Sequence, residues 1–276
     1  ASEGTNQSAT GTCANRAGLS ASDTQTGINI DKTAPTITFL SRLPAANGNG
    51  WNSADVTITW SCTNSLSPIL SGTVSQTLTA EGAAQSATGM CQDQAGNTAS
   101  NTQSGINIDK TAPTGVSLVP SGTLGNNGWY TSNVTITTTG TEAVSGPLTC
   151  TGVQSLTTDT ASATFNGSCT NLAGFTSNAA PLTLKRDATN PTITFLNRTP
   201  ANGNGWNNGD VTLNWSCTDA MSGPVDGTIT QTATAEGANQ SSTATCFDNA
   251  GNSASDTQSG INIDKTAPGI VANRTP

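Results

Sequence analysis

The sequence predicts an all-β chain made of small β-sandwiches in tandem. Three observations predict it: a repeat with a period near 78 residues, short segments that alternate apolar and polar side chains, and cysteines at a fixed phase of the repeat. The chain has 276 residues, of which 33% are hydrophobic and 9% charged. Its bulk is small and neutral, with 50 Thr and 29 Gly.

The repeat is marked by Asp31-Lys-Thr-Ala-Pro35, which returns as Asp109-Lys-Thr-Ala-Pro113, Asp187-Ala-Thr-Asn-Pro191 and Asp264-Lys-Thr-Ala-Pro268. The prolines are spaced by 78, 78 and 77 residues. This divides the chain into the C-terminal part of one unit (1–30), three whole units (31–108, 109–186 and 187–263) and the start of another (264–276). A chain that begins and ends inside units reads as a window on a longer array. The first and third whole units are near-copies: Asn47-Gly-Asn-Gly-Trp51 matches Asn202-Gly-Asn-Gly-Trp206, and Trp60-Ser-Cys62 matches Trp215-Ser-Cys217. The middle unit diverges.

Each unit reads as strands. In Val56-Thr-Ile58-Thr-Trp60-Ser-Cys62 every second residue is apolar, the period of a half-buried strand, and Val211, Leu213, Trp215 and Cys217 repeat the pattern. Ile37 and Phe39 open one unit as Ile193 and Phe195 open another, while Ile106 and Ile108 close one on a single face. Thr fills the outward positions, as its β-branched side chain favours. Asn-Gly pairs supply turns. About seven short strands per unit make an immunoglobulin-like sandwich the expected fold.

The cysteines fit that expectation. Cys13, Cys91, Cys169 and Cys246 each lie 22 residues before the next marker proline. Cys62 and Cys217 lie 29 residues before Cys91 and Cys246, so the expected bridges are Cys62–Cys91, Cys217–Cys246 and, in the middle unit, Cys150–Cys169. The partner of Cys13 is expected outside the chain. Trp60 and Trp215 stand two residues before Cys62 and Cys217, on the same strand face, as core tryptophans. In the middle unit Thr138 and Gly140 occupy both positions, so Trp and Cys leave together. Bridges in every unit imply an oxidising compartment, and each contributes roughly 2–4 kcal/mol.

Asp93-Gln-Ala-Gly-Asn97 and Asp248-Asn-Ala-Gly-Asn252, each followed by Ile-Asn-Ile-Asp-Lys-Thr-Ala-Pro, resemble the bacterial immunoglobulin-like and HYR-like tandem repeats of large surface or secreted proteins. The resemblance covers the whole chain, and it implies stalks, adhesins or filament subunits. The middle unit departs from the pattern, with Thr170-Asn-Leu-Ala-Gly174-Phe in that loop.

Composition excludes several functions. The chain has no His, so neither a Ser-His-Asp unit nor a His-based metal site can form. Net charge −8 and pI near 4.2 argue against a nucleic-acid partner, and no apolar run reaches the length of a membrane span. No cofactor is required; calcium is the one candidate. Asp93, Asn97, Asp109, Asp248, Asn252 and Asp264 offer hard oxygens near unit junctions, although Asp and Asn in such loops also serve as plain turn formers. Trp51, Trp129 and Trp206 follow Gly-rich loops, where a ring stacks on a surface glycan or packs on the adjoining unit. Lys32, Lys110 and Lys265 sit in polar joints, unlike the buried lysine of an isopeptide bond. Asn133, Asn166, Asn197, Asn214 and Asn239 head N-glycosylation triplets of the kind chance produces in so Asn- and Thr-rich a chain.

These features point to a non-catalytic structural segment of a long extracellular or cell-surface protein, built as a disulfide-stapled fibre, filament or stalk. Its partners are then copies of itself or neighbouring repeats. The alternatives are the stalk of a bacterial adhesin whose binding tip lies elsewhere, and an accessory array of a secreted polysaccharide-active enzyme.

Overall fold

A computed structural model describes residues 1–273. Arg274–Pro276, the end of the expected further repeat at 264–276, lie outside the described residues. The described chain is all-β, with 22 strands in several small sheets and one short 3-10 turn at Asn126–Gly128. The backbone divides into two units. One comprises Ala1–Gly115, Gly140–Thr149 and Cys169–Ser177; the other comprises Val116–Thr139, Cys150–Ser168 and residues from Asn178 onward.

The first unit opens with an antiparallel hairpin, Gly4–Ala14 against Ser20–Ile30. Two three-stranded sheets follow. In one, Val56–Thr63 lies between Thr36–Leu43 and Thr73–Leu78; in the other, Thr98–Ile108 lies between Trp51–Asn52, a parallel neighbour, and Gly82–Gln92. Strand alternation puts Val56, Ile58 and Trp60 on one face of the first sheet and Ala87, Ile106 and Ile108 on one face of the second. These six residues form a single core cluster, with Ile37, Val74 and Leu78 at its border. The Cys62–Cys91 bridge spans 5.8 Å between Cα atoms and ties the two sheets at the edge of that core.

Gly82–Gln92 enters through a bulge. Gly82 (φ 149°) and Ala84 (φ 55°) take conformations that one extra residue in the strand demands. The Gln85 amide fixes the bulge by donating to Ala80 O and Gly82 O, and Ala84 N donates to Asn107 Oδ1 at 2.7 Å. The same device recurs around Asn6 and Gln7, and around Asn239 and Gln240.

The second unit repeats the plan for 187–263. Val211–Thr218 lies between Thr192–Arg198 and Thr228–Ala233, and Gly237–Phe247 pairs with Ser253–Ile263. Its core is Val211, Leu213, Trp215, Ala244, Ile261 and Ile263, beside a Cys217–Cys246 bridge with a Cα separation of 5.8 Å. The diverged stretch has a smaller core of Val134, Ile136 and Leu156, bordered by Leu118, Phe165 and Leu184 among others. There Val134–Thr141 pairs with Gln154–Leu156, and Leu182–Arg186 lies between Trp129–Tyr130 and Thr160–Phe165. Thr138, at the core-Trp position, is 7% exposed and its hydroxyl lacks a hydrogen-bond partner among the described residues. Gly167 leaves no room for a side chain, because a Cβ there would meet Thr138 Oγ1 at 2.6 Å and Leu118 Cδ2 at 2.8 Å. Cys150 and Cys169 are both disulfide-bonded, while Cys13 is free and exposed.

The two core tryptophans are seated differently. A Cβ on Gly89 would stand 2.5 Å from Trp60 Cδ2 and Cε3, so the indole lies in the space above that glycine. The corresponding residue of the near-copy is Ala244, fully buried, and Trp215 packs edge-on against Phe195 at 5.6 Å. Phe39, the counterpart of Phe195, is 41% exposed. Gly89→Ala should therefore lower stability by about 1–3 kcal/mol through overpacking. Denaturant unfolding followed by Trp fluorescence checks it, and a neutral result would mean that Trp60 moves aside freely.

Candidate functional site

Three polar nodes form where the chain enters each whole repeat. They draw on three positions: the Asp that opens the repeat, the residue two after the first-cysteine position, and the residue two after the second cysteine.

In the first node these are Asp31, Asn64 and Asp93. The Asn64 amide nitrogen donates at 3.0 Å both to Asp31 Oδ2 and to Asp93 Oδ2. Ser67 N donates to Asp31 Oδ2 and Thr33 N to Asp31 Oδ1, each at 2.9 Å. Asn97 closes its own loop: its backbone N–H and its amide nitrogen both donate to Asp93, at 2.8 Å. Hydrogen bonds from Ser67, foremost, and from Thr33 and Asn64 hold the Asp31 carboxyl down from 3.8 to about 2, against the effect of burial. Burial pushes Asp93 up, but the Asn97 bonds outweigh it, and Asp93 titrates below its ordinary range.

The second node keeps the chemistry and exchanges the positions. Asp109 opens the repeat, Glu142 holds the middle position and Asn171 the last. The Asn171 amide donates to Asp109 Oδ2 at 3.0 Å, to Glu142 Oε2 at 2.9 Å and to Thr111 O at 2.9 Å. Ser145 Oγ makes a short hydrogen bond to Asp109 Oδ2. Asp109 and Ser145 are fully buried and Asn171 nearly so. Burial raises Glu142, yet the Val144 and Ala143 N–H groups and the Asn171 amide bring its carboxyl below the ordinary value.

The third node has no central amide. Asp187, Asp219 and Asp248 converge so that one oxygen from each lies within 4.8 Å of the others. Asp187 and Asp248 are fully buried. Backbone N–H groups solvate the set: Thr189 and Ser222 serve Asp187, Met221 and Gly223 serve Asp219, and Gly251 and Asn252 serve Asp248. Among the described residues no Lys or Arg forms an ion pair with any of the three.

The structure distributes the expected calcium residues unevenly. Asp93, Asp109 and Asp248 belong to three separate nodes. Asn97 and Asn252 each donate through the amide nitrogen, to Asp31 O and Asp93 Oδ2 and to Asp187 O and Asp248 Oδ2 respectively. Asp264 is exposed and accepts from Thr266 N. Sequence reasoning passed over Asn64, Glu142, Asn171 and Asp219. Their common signal is their phase, two residues after a cysteine or its replacement.

The Gly-rich loops are a second recurring contact. Asn47 and Asn49 both donate through their amides to Leu172 O, at 2.8 and 3.1 Å. In the other unit, Asn126 N donates to Ala250 O at 2.8 Å and the Asn127 amide to Asn249 O at 3.0 Å. In both cases the acceptor is the Ala-Gly turn of the succeeding repeat. Trp51 and Trp129 are each 7% exposed, so neither presents a ring face to a glycan; Trp129 instead carries Lys185 Nζ at 4.9 Å. Trp206 is 36% exposed.

The joint lysines are tied at the surface: Lys110 Nζ to Asp55 Oδ1 at 2.8 Å, Lys265 Nζ to Asp210 Oδ1 at 2.5 Å and Lys32 Nζ to Ala1 O at 3.0 Å. Of the glycosylation triplets, Asn133, Asn166, Asn197 and Asn239 are exposed and Asn214 is half-buried. No helix is long and apolar enough to cross a membrane.

No protein-family model matches the chain, and no curated protein matches it. Among solved structures, a Ca2+-stabilised adhesin with which an Antarctic bacterium binds ice aligns over 94% of this chain and 81% of its own, at 16% identity and a TM-score of 0.34. A 1.5-MDa bacterial ice-binding adhesin, described for host cell surface retention, aligns over 85% of this chain and 100% of its own, at 14% identity and a TM-score of 0.34. Likeness at that level establishes neither a shared fold nor a shared function.

The first node makes stability depend on acid. The Asp31 carboxyl titrates near 3.8 when unfolded and about 2 when folded, so its contribution is complete above about pH 4 and is lost as pH falls through about 2. Carboxyl-detected NMR titration should find this low midpoint, and Asn64→Ala should raise it. A wild-type midpoint near the ordinary value would mean that the node is not assembled in solution.

Proposed function

We propose that the chain is a non-catalytic structural array of immunoglobulin-like sandwiches, joined end to end in a rod, that serves as a segment of an extracellular fibre, filament or surface stalk. The units are 31–108, 109–186 and 187–263, flanked by parts of neighbours at 1–30 and 264–276. One observation carries the reading: the Gly-rich loop of a repeat hydrogen-bonds the Ala-Gly turn of its successor, at Asn47 and Asn49 to Leu172, and at Asn126 and Asn127 to Asn249 and Ala250. A joint that recurs with the period of the sequence is what an array under load requires, since each repeat then leans mainly on its neighbours. The disulfides suit an oxidising exterior. The absence of His removes the common general base from consideration.

The nodes stiffen the entry to each repeat by two routes. In the first and second, an Asn amide bridges a pair of carboxylates. In the third, three carboxylates meet with no amide between them, and the set fits a hard divalent cation such as Ca2+. Asp187, Asp219 and Asp248 would hold it, and the ion would supply the positive charge that Asn64 and Asn171 supply elsewhere through N–H dipoles.

Small-angle scattering tests the array. A compact globule of 276 residues has a radius of gyration of about 19 Å, and the rod predicts about twice that. A value near the globule's would overturn the reading. For the cation, millimolar Ca2+ should raise the unfolding midpoint of the wild type, and a chelator should reverse the shift. Asp219→Asn should abolish the response while remaining folded, because it restores the arrangement with one amide among two carboxylates. An equal calcium response in Asp219→Asn would count against this site.

A further inference from the structure

We propose that the Asp-Lys-Thr segment at residues 109–111 is a guarded protease site. A carboxylate of the preceding repeat, Glu81, holds its backbone in a form that a trypsin-like protease cannot engage. The proposal rests on the reading of such segments as joints between repeats.

The acid keeps one phase along the chain. Glu3, Glu81, Asp159 and Glu236 each stand 29 residues before the second residue of a joint. Each accepts the backbone N–H of that residue: Lys32 and Lys110 at 2.6 Å, Ala188 at 2.9 Å and Lys265 at 2.7 Å. Each also accepts the hydroxyl of the next residue, Thr33, Thr111, Thr189 or Thr266.

The backbone between Asp109 and Thr111 is fully engaged. Asp109 N donates to Asn52 O at 3.0 Å, Lys110 N to Glu81 Oε1, and Thr111 N to Asp109 Oδ1 at 2.9 Å. Thr111 O accepts the Asn171 amide at 2.9 Å. An extended peptide is bound as an added strand through these same main-chain groups. Lys110 and Thr111 are nevertheless exposed and outside any strand, where nicking concentrates. Hydrogen bonds rather than burial therefore protect the bond between them. The Cys62–Cys91 and Cys217–Cys246 bridges lie to either side of Lys110, so neither would hold the ends of a cut there together.

The lysine side chain is engaged as well. Lys110 Nζ donates to Asp55 Oδ1 at 2.8 Å and to Thr79 O at 2.7 Å. The middle repeat separates the two contributions. Ala188 replaces the lysine and Asn133 stands in the place of Asp55, yet Asp159 remains and grips the same N–H and hydroxyl. The cation moves to Arg186, whose guanidinium donates to Asp159 and Asn133. The constant duty of the acid is thus to the backbone. An exposed pair such as Lys110 and Asp55 contributes little by comparison.

The test is to expose the 276-residue chain to trypsin without reductant and map the products by mass spectrometry. The wild type should resist at Lys110–Thr111, and the reduced, denatured chain should be cut there. Glu81→Ala should be cut there about tenfold faster than the wild type, because hydrogen bonds to a charged group are lost and cleavage follows the opened population. Glu81→Asp should stay resistant, as the middle joint holds with Asp159. Asp55→Ala should change the rate no more than about twofold. Arg42–Leu43, within a strand of the same repeat, reports general unfolding and should keep its wild-type rate in every variant. Three results overturn the proposal. Glu81→Ala as resistant as the wild type would mean that the acid guards nothing. Asp55→Ala cut as fast as Glu81→Ala would place the protection on the lysine side chain. Arg42–Leu43 cut in step with Lys110–Thr111 would mean that Glu81 acts only through the stability of the repeat. The rod is judged separately: a compact scattering profile with the expected cleavage pattern overturns the joint reading and leaves the grip of Glu81 intact.

Discussion

The structure depends on the problem of placing two carboxylates, one buried and one half-buried, at the point where one repeat passes into the next. Asp31 and Asp93 are held together by a single amide nitrogen that donates to both. Without a donor between them, two such groups repel and each loses hydration. The chain meets this constraint with an amide in two of its whole repeats. Asn64 stands at the middle position in one and Asn171 at the last position in another, and in both the amide reaches two acids. Because the three contributors come from the entry segment and two separate loops, satisfying the node also fixes those loops. The strands beneath inherit that order through the disulfide two residues away.

The third node shows how narrow the solution is. With Asp219 at the middle position the central donor is gone, although the surrounding backbone N–H groups remain. Surface charge does not substitute for it, since Arg186 is engaged with Asp159, and Lys265 with Asp210. One residue type at one position thus separates a node with an amide between its carboxylates from one in which three carboxylates meet without it.

Much of this was legible in the sequence, for identifiable reasons. Val56, Ile58 and Trp60 announce a strand through period-two alternation, and the structure buries all three completely. The nodes were harder to see. Asp31, Asn64 and Asp93 are far apart in the chain, and none looks unusual beside its neighbours. They emerge only when whole repeats are laid over one another and the charge exchange between positions becomes visible. The amides were ambiguous for a related reason: Asn97 has an oxygen and a nitrogen to offer, and here it is the nitrogen that donates to Asp93. The Trp51 and Trp129 rings follow exposed Gly-rich turns, and their burial comes from contacts far along the chain.

The diverged middle repeat also bears on how such a chain reaches its fold. Tandem near-copies run a standing risk during synthesis, because a strand from one can dock in its twin. Here the near-copies 31–108 and 187–263 are kept apart by a segment with a different core. The intervening segment also lengthens the loop that a swap between the near-copies must close, which adds an entropic cost. Divergence in the middle therefore weighs against strand exchange between the regular repeats.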